Sequence, residues 1–394
     1  MGGNVPLGVR SVSSYDEDTA TMGVEAARIA LSPLINPTNP AAIWFSSSNP
    51  PYMDKTNANV IHAALQLDKT TAAYDFGGAE KSGIGALKTA LNSSETLLLV
   101  QSDIRSGLPS SDDEVYGGDA ASALLIGDED DGTLIARYLG GSSVSEEFIG
   151  RWRDPSEQNS RSWEERFVVT QFTQLIDTAW QEALSATELT SEDISTVVIS
   201  GSNNRAKSQI SKILGTEKSR VDLSESVGIA GTADATLLLT HALETSDTGE
   251  IIALVVLSDG IEILIFEARN QINQTKDRIS SQISSRDELT YQRFLQWKGN
   301  LKVQPPNRPA PSRISASAAA RESEWKHGFI ASKAEKSGLI HMPPARVSAN
   351  PEDRIDTMDP ISMANTSGHV VTCTVDRLVY SESPPVVFAV VDFV

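Results

Sequence analysis

The stretch from Ala73 to Leu87, AYDFGGAEKSGIGAL, decides how this chain is read. It continues a strand over residues 71 to 76, turns on two glycines, and enters a helix at about Glu80 that carries Ile84 and Leu87 on one side. An elbow of this kind points one side chain, Glu80, at the positive end of a helix, where orphan backbone N–H groups favour an anion. It is a place suited to chemistry.

Outward from the elbow, the chain alternates between strand and helix patterns. Upstream, residues 11 to 31 give an acidic turn and a helix with Met22, Ala26, Ile29 and Ala30 at helical spacing, and Ala42 to Ser46 is a short strand. His62 falls on the helix that follows and reads as a satisfied helix histidine. Downstream, TLLLVQSD (96 to 103) is a buried strand by its continuous apolar run, and GGDAASALLIG (117 to 127) is a glycine turn into another. From Ser162 to Leu184, Ser162 and Glu165 suggest a capping box, and Val168, Phe172, Leu175, Ile176, Ala179 and Ala183 form an apolar face. The strand STVVIS (195 to 200) runs into GSNNRAKSQISKILG. After VGIAGTADATLLLTHALE (227 to 244), with His241 well inside its helix, IIALVVLS and IEILIFE form a hairpin at Asp259-Gly260.

Composition narrows the partners. The chain has 394 residues, 40% of them apolar, enough for two or three domains or one large duplicated fold. Against 33 basic side chains stand 52 acidic ones, a net charge of −19 that repels phosphate backbones and argues against nucleic acid. No apolar run reaches the roughly 18 to 20 residues of a membrane helix, and the start lacks an export signal, so the expected location is the cytoplasm. The single cysteine, Cys373, excludes an internal disulfide and a cysteine-rich metal site, and its alternating apolar surroundings read as those of a buried structural thiol.

Several segments together resemble the thiolase superfamily, in the branch of 3-hydroxy-3-methylglutaryl-CoA synthase and β-ketoacyl synthase III. Ala73, Asp75, Ala79, Ser82 and Gly83 fit that family's active-site turn, as YDEDTATMGVEAA fits its acidic turn and first helix. Only about ten residues precede the latter segment here, so the expectation is either a truncated start or a lost first core strand. Pro50, Pro51, Tyr52 and Lys55 fit a further segment, and the glycine turn at 117 fits another, which close packing of small residues also explains. The resemblance implies a duplicated five-layered αβαβα fold, with halves over 1–150 and 151–270. It also implies an acyl-transfer site built from a cysteine, a histidine, an asparagine and, in the synthase, a glutamate. Those four places hold Glu80, Ser200, Ile229 and Ser48, while Asn203 and Arg205 keep theirs. A thiolate of depressed pKa is needed to exchange acyl groups with a thioester at neutral pH, and a carboxylate there would give a hydrolysable mixed anhydride.

Beyond Ala268 the chain turns polar, and VQPPNRPAPSRISASAAA (303 to 320) is a linker by composition, so a helix and linker are expected over 271–320, with a boundary near 270 to 312. The tail over 321–394 resembles the zinc ribbon and OB-fold that accompany many thiolase-type enzymes, with strands over 370 to 375 and 386 to 393 and an abrupt end that leaves an open edge. Pro343-Pro344 fit, but the four cysteine places read Ala334, Ser337, Ser348 and Pro351, and His341 alone cannot make a zinc site, so no zinc is expected. The leading expectation is a non-catalytic acyl-CoA-binding or scaffold subunit without a covalent cofactor. Asn203 and Arg205 would hold a coenzyme A thioester, and the assembly would be a homodimer or a heteromer with a catalytic thiolase-type subunit. Two alternatives stand beside it: an acyl-CoA enzyme using Glu80 as base, and a diverged gene remnant.

Overall fold

A computed structural model describes residues 9–32, 39–128, 134–216, 220–271, 278–304 and 307–393. The start of the chain and parts of the segments expected as helix and linker, at 272–277 and 305–306, lie outside them. The chain divides into two units, Met1–Asn59 with Asp68–Thr290 and Val60–Leu67 with Tyr291–Val394.

The first unit is built on two sheets. In the first, β1 (Ala42–Ser47), β2 (Ala72–Gly77), β3 (Leu97–Asp103) and β4 (Ala120–Ile126) lie in the order β2-β1-β3-β4, parallel except for β4. The long strand β5 (Ala136–Val144) leads to a short hairpin, β6 (Arg151–Trp152) with β7 (Arg161–Ser162). Then β8 (Thr196–Gly201), β9 (Arg220–Val221), β10 (Ile251–Leu257) and β11 (Ile261–Ala268) complete the second sheet, ordered β5-β11-β10-β8-β9. Its run β9-β8-β10-β11 repeats the order and strand directions of β2-β1-β3-β4, which is the expected duplication. The expected boundary at 150 is displaced, because β5 hydrogen-bonds to β11 and so belongs to the second sheet.

Helices α1 (Thr19–Leu31), α2 (Ala58–Ala64), α3 (Lys81–Leu91) and the single turn α4 (Asp112–Val115) belong to the first half of the sequence, and α5 (Glu165–Thr187), α6 (Asn204–Ile213), α7 (Asp234–Leu243) and α8 (Ile279–Ser284) to the second. The central layer is α3 and α7. Ile84, Leu87, Leu237 and Leu238 from these helices share one apolar cluster with Leu99 of β3, Val198 of β8 and Leu254 of β10. On the far side of the second sheet, α5 and α6 bury Phe172, Ile176 and Ile210 against Val197, Val255 and Ile263. With α1 against β3 and β4, the layers run αβαβα. Every residue of β3 is buried, as its unbroken apolar run requires of a strand covered on both faces.

One local expectation is refined and another corrected. On α1 the residues fully buried are Thr19, Ala20, Gly23 and Ala27, while Met22, Ala26, Ile29 and Ala30 are half-buried. Small residues form the contact face because the helix lies close on the sheet. The helix itself starts from Asp18, whose carboxylate accepts from the N–H groups of Ala20 (2.9 Å) and Thr21 (2.8 Å). No capping box opens α5: Ser162 is committed to β7, and the helix begins after Glu164 without a side-chain cap. Its apolar face is the expected one, with Trp180 and Leu184 added.

The second unit holds α9 (Tyr291–Trp297), α10 (Ala316–Gly328) and two small sheets. Strand β12 (Ile330–Ala334) lies between β13 (Ile340–His341) and β14 (Met358–Ser362), all antiparallel. Strands β15 (Gly368–Asp376) and β16 (Val386–Phe393) pair only with each other, so the described strands do not close a barrel. Both faces of this ribbon are exposed. Cys373 is consequently exposed, not buried, because alternation buries a side chain only where one face is covered. No helix among the described residues is long and apolar enough to cross a membrane.

Candidate functional site

The elbow is present and its framework residues have clear work. Asp75 of β2 accepts from the backbone N–H groups of Asn57 (2.7 Å) and Ala58 (2.8 Å), tying the start of α2 to the strand. Ser82 donates to the carbonyl of Gly77 (2.8 Å) across the turn. At Gly83 a Cβ would sit 2.7 Å from the carbonyl oxygen of Thr232 and 2.9 Å from Gln101 Nε2, so only glycine lets α3 approach this closely.

Three of the four substituted positions converge. Glu80, Ser200 and Ile229 line one cavity, with Thr232, Asp234 and Ser258, and its volume of about 10 Å³ has room for about one water. Ser200 Oγ donates to Asp234 Oδ2 at 2.6 Å, and Asp234 Oδ1 accepts from the N–H of Ala230 at 3.1 Å. Ile229 is 4% exposed and presents only hydrocarbon to this space. Ser48 lies apart from the cavity lining. Its hydroxyl and N–H both donate to Asp103, at 2.9 Å each.

Glu80 does not use the helix N-terminus as expected; its side chain accepts no capping hydrogen bond. Instead its Oε1 lies 2.8 Å from Arg105 Nη2 and 3.3 Å from Arg151 Nε. The same two guanidiniums bracket Asp113, Arg105 at 2.8 Å and Arg151 at 2.9 Å. The four side chains form a charge-balanced ring, and Arg105 within it is 4% exposed. Burial disfavours the charged form of Asp113, but the two arginines outweigh it and hold the carboxyl below the usual range. Burial likewise works against Arg105, and Glu80, Asp113 and Asp103 outweigh it and raise its pKa. At Asp103 burial wins: its pKa is raised despite Arg105 and the hydrogen bonds from Thr232, Ser48 and Ser47.

Asn203 and Arg205 sit at the start of α6. Asn203 is its N-cap, its Oδ1 accepting from the N–H of Ala206 at 2.8 Å. Arg205 is more than half exposed and lies 3.5 Å from Glu165. Sequence reasoning missed Arg105 and Arg151, the partners of Glu80, and Asp113, which shares them. One signal was available: Arg105 lies two residues past the end of the fully buried β3, where a solvated charge is out of place.

In the second unit, the four cysteine places of the ribbon do not fit zinc. Ala334 and Pro351 offer no ligand atom, and Ser337 and Ser348 offer only hydroxyls. Asp353 closes the gap: it accepts from Ser337 through Oγ (2.5 Å) and the backbone N–H (3.1 Å), and Ser348 also hydrogen-bonds to it. His341 Nε2 accepts from the N–H of Ala349 at 2.9 Å. Among the described residues no group of three or more His, Cys, Asp or Glu is arranged to hold a metal.

No protein-family model matches the chain. Hydroxymethylglutaryl-CoA synthases do: that of Thermococcus sibiricus is 26% identical over 310 residues, 75% of this chain and 88% of that one, and that of Pyrococcus horikoshii is 26% identical over 302 residues, 73% and 86%. Among solved structures, the HMG synthase of the curacin biosynthetic pathway, in complex with acetyl donor-ACP, superposes with a TM-score of 0.64 at 18% identity, covering 73% of this chain and 78% of that one. The 3-oxoacyl-(acyl carrier protein) synthase III of Pseudomonas aeruginosa, FabH, gives 0.56 at 18% identity, covering 67% and 87%. The chain has the thiolase fold of these structures and is similar in sequence to hydroxymethylglutaryl-CoA synthases. Within that fold it keeps the elbow and both sheets. The acyl-transfer side chains that the resemblance implies are absent from the places it assigns them.

Proposed function

We propose that this thiolase-superfamily chain has given up acyl transfer and serves as a scaffold subunit beside a catalytic thiolase-type partner. The observation that carries this is the cavity: Glu80, Ser200 and Ile229 surround space for about one water, and Glu80 is drawn to Arg105 and Arg151. No thiolate is there to attack a thioester, and a carboxylate engaged by two guanidiniums is poorly placed to take a proton from a substrate. Among the described residues β2 is an edge strand, with Tyr74 56% exposed, and would let a second thiolase-type subunit or a second copy extend the first sheet. Arg205 at the surface suits a phosphate of coenzyme A, since a guanidinium matches phosphate geometry.

The test is acyl exchange between acetyl-CoA and a thiol acceptor, run on the purified chain and on Glu80→Cys. Neither should transfer, because a lone sulfur leaves Ser200 and Ile229 unable to polarise a second substrate. Robust transfer by the unmutated chain would overturn the proposal. Recovery of a catalytic thiolase-type subunit with the affinity-purified chain would support the scaffold role, and recovery of the chain alone would remove it.

A further inference from the structure

We infer that Arg105 and Arg151 form a binding pocket for a small carboxylate, and that Glu80 is its tethered occupant, a built-in ligand that keeps the pocket closed. The charge balance leads there. Asp113 takes directed hydrogen bonds from both guanidiniums, at 2.8 Å and 2.9 Å, and so neutralises one positive charge. The second is countered by Glu80, whose Oε1 lies 2.8 Å and 3.3 Å from the two arginines yet makes no directed hydrogen bond. Arg105 Nε is buried with no acceptor. Arg105 therefore keeps unused donor capacity, and Glu80 is held by charge more than by hydrogen-bond geometry.

Volume points the same way. The Glu80 side chain walls the water-sized cavity, so removing it would join its own volume to that space beside two guanidiniums. An acetate or formate ion matches what is removed, a carboxylate with at most one carbon more. Without Glu80 the two guanidiniums share Asp113 as their one directly bonded carboxylate, and this shortfall of negative charge gives the incoming anion its affinity.

The inference is independent of the loss of acyl transfer: the pocket is read by stability, the transfer by product, and either can fail alone. The experiment is thermal unfolding of Glu80→Ala in sodium formate or acetate, against sodium chloride at equal ionic strength. Glu80→Ala should melt well below the unmutated chain. Either carboxylate, at about ten times its dissociation constant, should return about 3 °C beyond chloride. The unmutated chain should not respond, because its site is filled. Equal recovery in chloride, or a response by the unmutated chain as large as the variant's, would overturn the inference.

Should Glu80→Ala fail to fold, Glu80→Gln and Arg151→Ala decide the matter, singly and together. Glu80→Gln keeps the volume and drops the charge, so it should be destabilised and should not respond to formate. Its cost should shrink once Arg151 is gone, and additive effects of the two substitutions would overturn the inference.

Discussion

The cavity of the first unit and the ribbon of the second both lack sulfur. The resemblance places sulfur in both, and in both a carboxylate now closes the gap: Glu80 between arginines, Asp353 between serines. They differ in exposure. Around Arg105 the charges are largely withdrawn from water, with Arg105 and Asp113 buried and Glu80 and Arg151 half-buried, and they need counter-charges because desolvation is expensive. Around Asp353 water can replace any lost partner, and two serine hydroxyls suffice. Substituting a reactive group in an interior thus calls for a balanced set of charges, whereas at a surface one hydrogen-bonding side chain is enough.

The largest effect should come from Arg105→Ala, which leaves Glu80 and Asp113 facing each other with Arg151 alone. A loss of about 3–5 kcal/mol in urea unfolding is expected for breaking a buried ionic set. A loss under about 1 kcal/mol would mean that the ring is solvated and would erase the contrast with the ribbon. The next effect is on pH. The folded pKa of Asp113 lies below that of the unfolded chain, near 3.9, so its stabilisation is full above that value and is lost as pH falls through the folded value. Asp103, whose pKa is raised, acts in the opposite sense and is common to both proteins compared. Asp113→Asn should therefore be less stable at neutral pH yet lose less on acidification, read by denaturant midpoints across about pH 5 to 3. Parallel curves for the two proteins would contradict the ring.

The smallest effects belong to the ribbon. Asp353→Ala should lower the melting of the second unit slightly, with no change in the first, and chelation with EDTA should change neither transition. A large loss on chelation, or stoichiometric zinc in the purified chain, would restore a metal to the ribbon and break the comparison from that side.

Much of the architecture was legible because periodicity reports burial directly. The run LLLV in β3 and the face from Val168 to Ala183 on α5 need no tertiary knowledge. The convergence of Glu80, Ser200 and Ile229 came from the resemblance and not from periodicity, and the same resemblance included Ser48, which does not line the cavity. What failed was pairing at a distance. Nothing local in the sequence ties Arg105 or Arg151 to Glu80, because ion pairs carry no period. Ser162 and Glu165 had the spacing of a capping box, yet the ladder with Arg151 claimed Ser162 first. Cys373 had the right alternation, but no second layer covers its ribbon.

The most direct measurement is the intact mass of the chain after incubation with acetyl-CoA, with any adduct mapped by peptide. The account predicts no acetyl group at Glu80 or Ser200. An acetyl group on either residue that turns over on adding a thiol acceptor would show a working acyl-transfer site and contradict the account.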